Sequence, residues 1–422
     1  MHLSPDFSSS EPLRHYRLHE TLGAGNFAKV KRATHILTAE AVAVKIISHG
    51  KTGLPNDKAR ISREVEIMRK LNHPNVVPLY DVGPRQVVTV HSQTYLVMEY
   101  LQGGDLLSYV AARQRLQESE ACRLFQQLVS GVGYLHGLGV SHRDLKPSNL
   151  LLTTRKDVKI ADFGLSAEGR MEALETRCGS PCFTAPEVIT GMTYDGRKVD
   201  IWGLGVVLYV MLVGELPFED DNKAGLFRKI CTGRYTLPAC VSQSAKDLLR
   251  RMLVVEAKGR ATLAEVRKHP WLAVAELPKR TVQARHAIDS SVFSEAQALG
   301  FSHKALLEGL ELNLKNAATA TYQLLLNRRT QADNIVELLR TNRSHLKRSE
   351  THFLVRRKNT ASRHTPEPIP SLSPKPLDRK DTVFLHRMAP LRPVSQWRSN
   401  KRTETQRPTV CLLRLHRAPT PV

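Results

Sequence analysis

The chain has 422 residues, of which 41% are hydrophobic and 6% aromatic, as in ordinary soluble proteins. No apolar stretch approaches the roughly 20 residues that cross a bilayer. The first residues, Met1-His2-Leu3-Ser4-Pro5-Asp6, lack the basic start and apolar core of a secretion signal. The six cysteines lack the paired spacing of zinc ligands. We therefore expect a cytoplasmic protein, with the nucleus as a second compartment and no integral membrane association.

The formal net charge of +22 is concentrated near the end of the chain. Residues 331–422 contain 19 Lys and Arg against 7 Asp and Glu, which places +12 of the charge there. We expect disorder in residues 1–15 and in a basic, Pro/Ser-rich tail over 341–422, because such compositions bury too little apolar surface to fold. Aromatic residues are too sparse in the tail for a base-stacking platform, so the composition disfavours nucleic-acid binding.

Residues 16–272 alternate strand-like and helix-like patterns joined by short turns. Tyr16–Leu22 and Ala41–Ile47 read as strands, and Lys58–Leu71 has helical apolar spacing. Helical patterns take over later, for example in Glu118–His136. The pattern predicts an α+β unit with a strand-rich first lobe and a helical second lobe.

A second unit is expected over residues 288–330, where three short helical patterns are separated by Gly300 and by Leu312-Asn313-Leu314. A three-helix unit of this size has little core of its own. We therefore expect it to dock on the larger unit.

A glycine-rich run, Leu22-Gly23-Ala24-Gly25-Asn26-Phe27-Ala28-Lys29-Val30, lies between two predicted strands. In a dinucleotide fold the glycines open a helix, whereas here Val30-Lys31-Arg32-Ala33 resumes a strand. The backbone amides are therefore expected to fold over phosphates as a lid, with Phe27 shielding them from water. Ala28 replaces the third glycine of the motif and stiffens the loop slightly.

Three further runs follow at a characteristic spacing. They are His142-Arg143-Asp144-Leu145-Lys146-Pro147-Ser148-Asn149, Asp162-Phe163-Gly164 and Ala185-Pro186-Glu187. Together with the glycine-rich run they resemble the motifs of serine/threonine protein kinases. The resemblance implies a bilobal protein kinase fold with a β-rich N-lobe and a helical C-lobe, and ATP and Mg²⁺ as cofactors.

The same resemblance implies the roles of the residues that carry out the reaction. Asp144 accepts or orients the proton of the substrate hydroxyl, and Lys146 neutralises charge on the moving phosphoryl group. Asn149 and Asp162 bind magnesium.

Lys45, which ends Val42-Ala43-Val44-Lys45, resembles the kinase lysine that binds the α and β phosphates. Kinases pair this lysine with a carboxylate on the following helix, where both Glu64 and Glu66 are available. We predict Glu64, because the helical register places it on the inward side with Ile61, Val65 and Met68.

The resemblance also implies a nucleotide pocket. Residues expected to line the adenine are Leu22, Val30, Ala43, Met98, Leu101 and Leu151. Backbone groups near Glu99 and Leu101 are expected to hydrogen-bond the base, and Gly23, Gly25, Phe27 and Lys45 to cover or bind the phosphates. Ordinary core packing explains most of the apolar residue types equally well.

The expected acceptor is a serine or threonine in a protein, because Leu145-Lys146-Pro147 resembles the serine/threonine version of the motif. Ser180 fits the position that contacts Asp144 and Lys146 and seats an aliphatic hydroxyl. Ser148 stands where many basic-directed kinases have glutamate, while Asp105 can supply one acidic contact. We therefore expect substrates with a basic residue upstream of the target hydroxyl.

Leu174-Glu175-Thr176-Arg177-Cys178-Gly179-Ser180-Pro181 resembles the activation segment of the AMP-activated and sucrose-nonfermenting kinases. Thr176 is the expected activating phosphosite for an upstream kinase, since a phosphate there would lie opposite Arg143. Residues 288–330 resemble the ubiquitin-associated-like module of this family, which implies autoregulation in energy or stress signalling. The glycine-rich run is equally similar to the microtubule-affinity-regulating kinases.

Assembly with regulatory subunits is in doubt, because residues beyond 340 contain no recognisable subunit-binding domain. Two other classes of function remain open at this point, a pseudokinase and a scaffold that acts through its basic tail. A pseudokinase would ordinarily lack Lys45, Asp144 or Asp162, and all three are present.

Overall fold

The computed structural model describes residues 13–25, 28–49, 57–83, 93–168, 171–172, 181–273 and 288–333. The expectations for Phe27, Thr176, Ser180 and the basic tail fall outside these residues. Residues 13–15 form a turn, although the sequence predicted disorder as far as residue 15. The turn is held because the Leu13 carbonyl accepts a 2.8 Å hydrogen bond from Tyr16 N and Leu13 packs on an apolar cluster.

The first lobe is a five-stranded antiparallel sheet with the strand order β1-β2-β3-β5-β4. Its strands are β1 Tyr16–Ala24, β2 Ala28–His35, β3 Ala41–Ser48, β4 Leu79–Gly83 and β5 Gln93–Glu99. The helix α1, Asp57–Lys70, joins β3 to β4 in the chain. Ile61, Val65 and Met68 lie on its buried face, so the helical register follows the apolar spacing of the sequence.

The second lobe is mainly helical. Its helices are α2 Leu106–Ala111, α3 Glu118–Gly137, α4 Pro186–Ile189, α5 Gly196–Val213, α6 Lys223–Thr232, α7 Gln243–Met252, α8 Leu263–Lys268 and α9 Pro270–Ala273. Short strand pairs accompany them, β6 Val140–Ser141 with β9 Ala167–Glu168, β7 Leu150–Leu152 with β8 Val158–Ile160, and β10 Met171–Glu172 with β11 Tyr194–Asp195. The bilobal arrangement predicted from the sequence is confirmed.

The helix α5 lies at the centre of the second lobe, and most of its residues are buried. Asp195 caps its N-terminus by accepting from Arg197 N, and Gly214 ends it at a φ of +85°. At Gly214 a Cβ atom would come within 1.7 Å of the Gln114 carbonyl, so this turn requires glycine. Of the helices in the described ranges, none is long and apolar enough to cross a membrane.

Three further helices follow, α10 Ser290–Ala298, α11 His303–Glu311 and α12 over residues 317–333. Asp289 and Ser302 cap the first two helices through their side chains. We call residues 288–333 the three-helix module. Its own apolar cluster consists of Val292, Phe293, Ala296, Leu306, Ala318, Tyr322 and Leu325.

The three-helix module packs on the first lobe through α12. Ala320 and Leu324 share a buried cluster with Tyr16, Ala33, Val42, Val44, Tyr80 and Val97. Two polar contacts accompany the cluster. Asn327 Nδ2 donates to Tyr80 Oη at 2.9 Å, and His35 Nε2 lies 3.3 Å from Thr321 Oγ1. The module therefore covers one face of the sheet.

Candidate active site

The residues 142–149 connect β6 to β7 and hold Asp144 in a fixed position. Lys146 Nζ donates to Asp144 Oδ2 at 2.7 Å, and Asn149 Nδ2 donates to the same oxygen at 2.9 Å. Asn149 Nδ2 also lies 2.9 Å from the Asp144 carbonyl oxygen. The structure thus brings the three predicted residues together at one carboxylate oxygen of Asp144.

A buried carboxylate shapes the backbone beside Asp144. Arg143 has a φ of +66°, a conformation that side-chain-bearing residues rarely adopt. Asp200 of α5 accepts from Arg143 N at 2.7 Å and from His142 N at 2.9 Å. His136 Nε2 lies 2.7 Å from the same carboxylate. These contacts stabilise the unusual backbone and orient the adjoining Asp144.

Lys45 is bound by two carboxylates. Its Nζ lies 2.6 Å from Glu64 Oε1 and 2.7 Å from Asp162 Oδ1. Glu66, the alternative on the same helix, is exposed. The structure therefore pairs Lys45 with Glu64 and connects β3, α1 and the segment after β8.

Asp162 is held in place by its neighbours and is ionised. Its φ is +64°, and the adjacent Phe163 is buried with its ring 5.2 Å from the ring of His142. Partial burial raises the pKa of Asp162, but the ammonium of Lys45 outweighs this and lowers the pKa to about 2. For Lys45, burial lowers the pKa, while Glu64 and Asp162 raise it by more. Both groups are charged at neutral pH.

A divalent cation site can be formed by Asp162 and Asn149. The Asp162 side chain is 48% exposed, so a cation can reach it. The Asn149 amide nitrogen is bonded to Asp144, which leaves its oxygen to act as a ligand. Two oxygen ligands, supplemented by water and phosphate oxygens, suit Mg²⁺. No group of three His, Cys, Asp or Glu residues that could hold a metal occurs in the part of the chain the structure describes.

The predicted nucleotide pocket is built from both lobes. Gly23 pairs with Val30 across β1 and β2, and Gly25 N donates to the Ala28 carbonyl at 2.8 Å. Ala43 and Met98 are directly opposite in β3 and β5. Three other residues expected to line the adenine are more exposed than residues of the hydrophobic core. Leu22 is 43% exposed, and Leu101 and Leu151 are half-buried.

Two predicted residues have side-chain partners that the sequence did not indicate. The Glu99 side chain forms an ion pair with Lys159 of β8, and Glu99 N donates to the Pro78 carbonyl. The Asp105 carboxylate caps α2 by accepting from Ser108 N and Ser108 Oγ, each at 2.8 Å. A substrate contact by Asp105 would therefore have to share a carboxylate that already caps a helix.

The side chains of His136 and Lys159 contact partners that are distant in the chain. Arg260 is also distant from its partner Glu187, with which it forms a bidentate ion pair at 2.7 and 2.9 Å. Neither His136 nor Lys159 was anticipated. Their partners lie about 60 residues away in the chain, so no local pattern marks them.

This arrangement of residues defines a protein kinase. The model of the protein kinase domain matches residues 16–272, which is more than half of the chain, and the chain therefore belongs to the protein kinase family.

Proteins of similar sequence indicate which group of protein kinases the chain is most like. The chain is 44% identical over 332 residues to serine/threonine protein kinase OSK3 of Oryza sativa subsp. indica, which covers 76% of this chain and 64% of that protein. It is 41% identical over 328 residues to SNF1-related protein kinase catalytic subunit alpha KIN12 of Arabidopsis thaliana, with 76% and 65% covered. It is 40% identical over 330 residues to SNF1-like protein kinase ssp2 of Schizosaccharomyces pombe, with 76% and 56% covered. The chain thus spans less than two thirds of the length of these relatives.

Proposed function

We propose that this protein is an ATP-dependent kinase that transfers the γ-phosphate to serine and threonine hydroxyls of proteins. The observation that carries the proposal is the position of Asp144, whose carboxylate is held by Lys146 at 2.7 Å and Asn149 at 2.9 Å. The names of the relatives, which are serine/threonine and SNF1-related kinases, support the same activity.

In the proposed reaction, Asp144 orients the substrate hydroxyl and accepts its proton as the oxygen attacks the γ-phosphorus. The bond from that phosphorus to the β-phosphate oxygen breaks, and ADP leaves. Lys146, already in contact with Asp144, is positioned to neutralise charge that develops on the moving phosphoryl group. Lys45 binds the α and β phosphates, and Glu64 holds its ammonium in place.

We assign Mg²⁺ binding to Asp162 and Asn149. The lowered pKa of Asp162 supports this role, because the carboxylate stays ionised at any physiological pH. When bound, Mg²⁺ neutralises negative charge on the phosphate oxygens. Lys45 contacts Asp162 at 2.7 Å and so fixes the carboxylate next to the phosphates that the lysine binds.

Activation is proposed to require phosphorylation of Thr176 by an upstream kinase. Arg143 Nε donates to the Leu165 carbonyl at 2.8 Å, which anchors this guanidinium at the start of the activation segment. A phosphate on Thr176 would gain charge-assisted hydrogen bonds from such a group. Ser180 is proposed to seat the substrate hydroxyl and Asp105 to contact a basic residue upstream of it.

The three-helix module is proposed to be ubiquitin-associated-like and autoregulatory. Its small cluster and its docking through Ala320 and Leu324 support a role on the kinase body rather than the capture of a free partner. We propose a cytoplasmic location with the nucleus as a second one.

A role in energy or stress signalling is proposed from the relatives. One of them, 41% identical over 335 residues, is the carbon catabolite-derepressing protein kinase of Secale cereale. That name connects the relative, rather than this chain, to the response to carbon supply. Proteins whose phosphorylation depends on nutrient supply are therefore the first substrates to test.

The proposed activity is tested with the full chain, phosphorylated on Thr176, together with ATP, Mg²⁺ and peptides that differ only in the acceptor. We expect phosphate on a serine peptide with an upstream arginine and about a tenth as much or less on the matched tyrosine peptide. Absence of transfer to every peptide and to the chain itself would refute the kinase proposal and favour a pseudokinase.

A further inference from the structure

Positive charge is concentrated in the second lobe where the end of α2 meets the turn between β7 and β8. The two segments are joined by backbone hydrogen bonds, from Gly103 N to the Leu152 carbonyl at 2.9 Å and from Leu152 N to the Gly104 carbonyl at 2.8 Å. Three arginines at this junction are exposed, and one lysine is half-buried. We call these four residues and the tyrosine that two of them contact the cationic patch: Tyr109, Arg113, Arg115, Arg155 and Lys156.

Two cations of the patch lie against one aromatic ring. Arg113 Cζ is 3.8 Å and Lys156 Nζ is 5.0 Å from the centre of the Tyr109 ring, so both are within the range of cation–π attraction. Arg113 Nη1 also donates to the Tyr109 carbonyl at 3.4 Å. The two charges are therefore held at most about 9 Å apart, where they repel each other. An anion bound between them relieves this repulsion.

The positive charge of the patch is largely uncompensated. In the part of the chain that the structure describes, none of the four basic residues forms an ion pair with a carboxylate. Two carboxylates of the neighbouring segments already have other partners, since Glu120 accepts from Tyr109 Oη at 2.6 Å and Asp157 pairs with Arg123 at 3.4 Å. Glu120 offsets one of the four charges at most. The basic side chains can therefore bind an anion without giving up an existing ion pair.

The backbone of Lys156 is strained. Its φ is +63°, in the left-handed region that favours glycine. The turn holds it there, because Thr153 N donates to the Asp157 carbonyl at 2.9 Å and Lys156 N donates to the Thr153 carbonyl at 3.0 Å. Strained residues that carry a side chain are concentrated at functional sites. Lysine at this position supplies a charge beside Tyr109, whereas glycine would form the same turn with less strain.

We propose that the cationic patch is a docking surface for an acidic peptide segment of a partner protein. Carboxylates of the segment bind between Arg113 and Lys156, and adjoining acidic residues reach Arg115 and Arg155. Residues 331–422 are unsuited as the occupant, because they carry 19 Lys and Arg against 7 Asp and Glu. The docking surface contains none of the residues assigned to phosphate transfer, so the inference goes beyond the proposed function and does not depend on it.

The test is the affinity of the full chain for fluorescein-labelled hexaglutamate, measured by fluorescence anisotropy. The double variant Arg113→Ala with Lys156→Gly is expected to bind the peptide about tenfold more weakly, because two charge contacts are lost. Glycine removes the strain at the turn, so the midpoint of chemical unfolding should not fall, and weaker binding cannot then be attributed to misfolding. If the unsubstituted protein does not bind the peptide, the docking surface is refuted.

The matched control is Arg234→Ala with Arg250→Ala, which removes two exposed positive charges elsewhere in the second lobe. This variant should bind hexaglutamate within about twofold of the unsubstituted protein. The basic residues of 331–422 also attract the peptide, but they do so equally in both double variants. Equal losses in the two variants would mean that net charge alone attracts the peptide, and would overturn the proposal.

Photo-cross-linking locates the bound peptide. One glutamate is replaced by benzoylphenylalanine, and the cross-linked segments are identified by mass spectrometry. We expect cross-links within residues 105–123 and 150–160, and cross-links confined to 331–422 would contradict the docking surface. A labelled RNA hexanucleotide distinguishes the class of partner. If the RNA binds more tightly than the peptide and loses affinity in Arg113→Ala with Lys156→Gly, the patch is a nucleic-acid site and the acidic-peptide proposal is wrong.

Discussion

Lys45 Nζ lies 2.6 Å from Glu64 Oε1, and this ion pair joins the central strand β3 to the helix α1. The side chains are only 12% and 7% exposed, so neither charge is well hydrated without the other. The same ammonium lies 2.7 Å from Asp162 Oδ1 in the second lobe. Lys45 thus holds β3, α1 and the segment that contains Asp162 in the relative positions that the proposed reaction requires.

Replacing Glu64 by glutamine should reduce kcat on the order of a hundredfold, because Lys45 would lose the carboxylate that positions it on the phosphates. Glu66→Gln is the matched control, since Glu66 is exposed on the same helix. Steady-state phosphorylation of a serine peptide measures both. Equal losses in the two variants would contradict the assignment of Glu64.

Asp200→Asn should impair both folding and catalysis. The carboxylate accepts from Arg143 N and His142 N, and an amide in its place would turn an N–H toward one of these donors. We expect a free energy of unfolding lower by about 1–3 kcal/mol and a kcat lower by about tenfold or more.

The matched control on the same helix is Asp195→Asn, because asparagine caps a helix as well as aspartate does. It should keep both the stability and the activity. Denaturant unfolding and peptide phosphorylation provide the two readouts. If Asp200→Asn matched this control, the bracing of the Arg143 backbone by Asp200 would be wrong.

His35 should make the stability of the protein sensitive to mild acid. It is fully buried at the docked module, and burial followed by the charge of His15 lowers its pKa to about 4. In the unfolded chain the imidazole of His35 binds a proton near pH 6.5, whereas in the folded protein it binds a proton only near pH 4. Stability is therefore lost as the pH falls from 6.5 to 4, by on the order of 3 kcal/mol.

His35→Gln removes this titration, so the variant should gain stability relative to the unsubstituted protein over that pH range. The measurement is the free energy of unfolding at several pH values. His303→Gln, at an exposed histidine of the module, should keep the original pH profile. Parallel profiles for His35→Gln and the unsubstituted protein would disprove the role of His35.

Leu324→Ala should loosen the docking of the three-helix module. Leu324 is 4% exposed between α12 and the sheet, and its truncation leaves a cavity that lowers the free energy of unfolding by about 2–4 kcal/mol. Leu312→Ala is the matched control, because Leu312 is 63% exposed. Chemical denaturation compares the variants, and equal stability would argue against docking at this surface.

The sequence predicted the bilobal fold and the motifs of the catalytic loop because these depend on local spacing. Asp144, Lys146 and Asn149 lie within six residues, so one loop brings them together. The choice of Glu64 over Glu66 followed from helical register alone. The sequence predicts such features well because they need no knowledge of distant packing.

Contacts between distant segments were harder to predict. Nothing near Glu99 or Lys159 in the sequence indicates their pairing, which depends on how the lobes meet. The docking surface of the module had one available signal in β3, where Ala41–Ile47 is nearly continuously apolar apart from Lys45. Such a run is typical of a strand buried on both faces, and the second face of β3 is the one that the module covers.

The central claim is that Asp144 carries out the chemistry at a site that binds ATP, and one paired measurement on Asp144→Asn tests it directly. The full chain and the variant are compared for peptide phosphorylation and for binding of a fluorescent ATP analogue with Mg²⁺. We predict that the variant loses about 10²–10⁴-fold in kcat and binds the analogue with unchanged affinity. Unchanged phosphorylation by the variant would contradict the account.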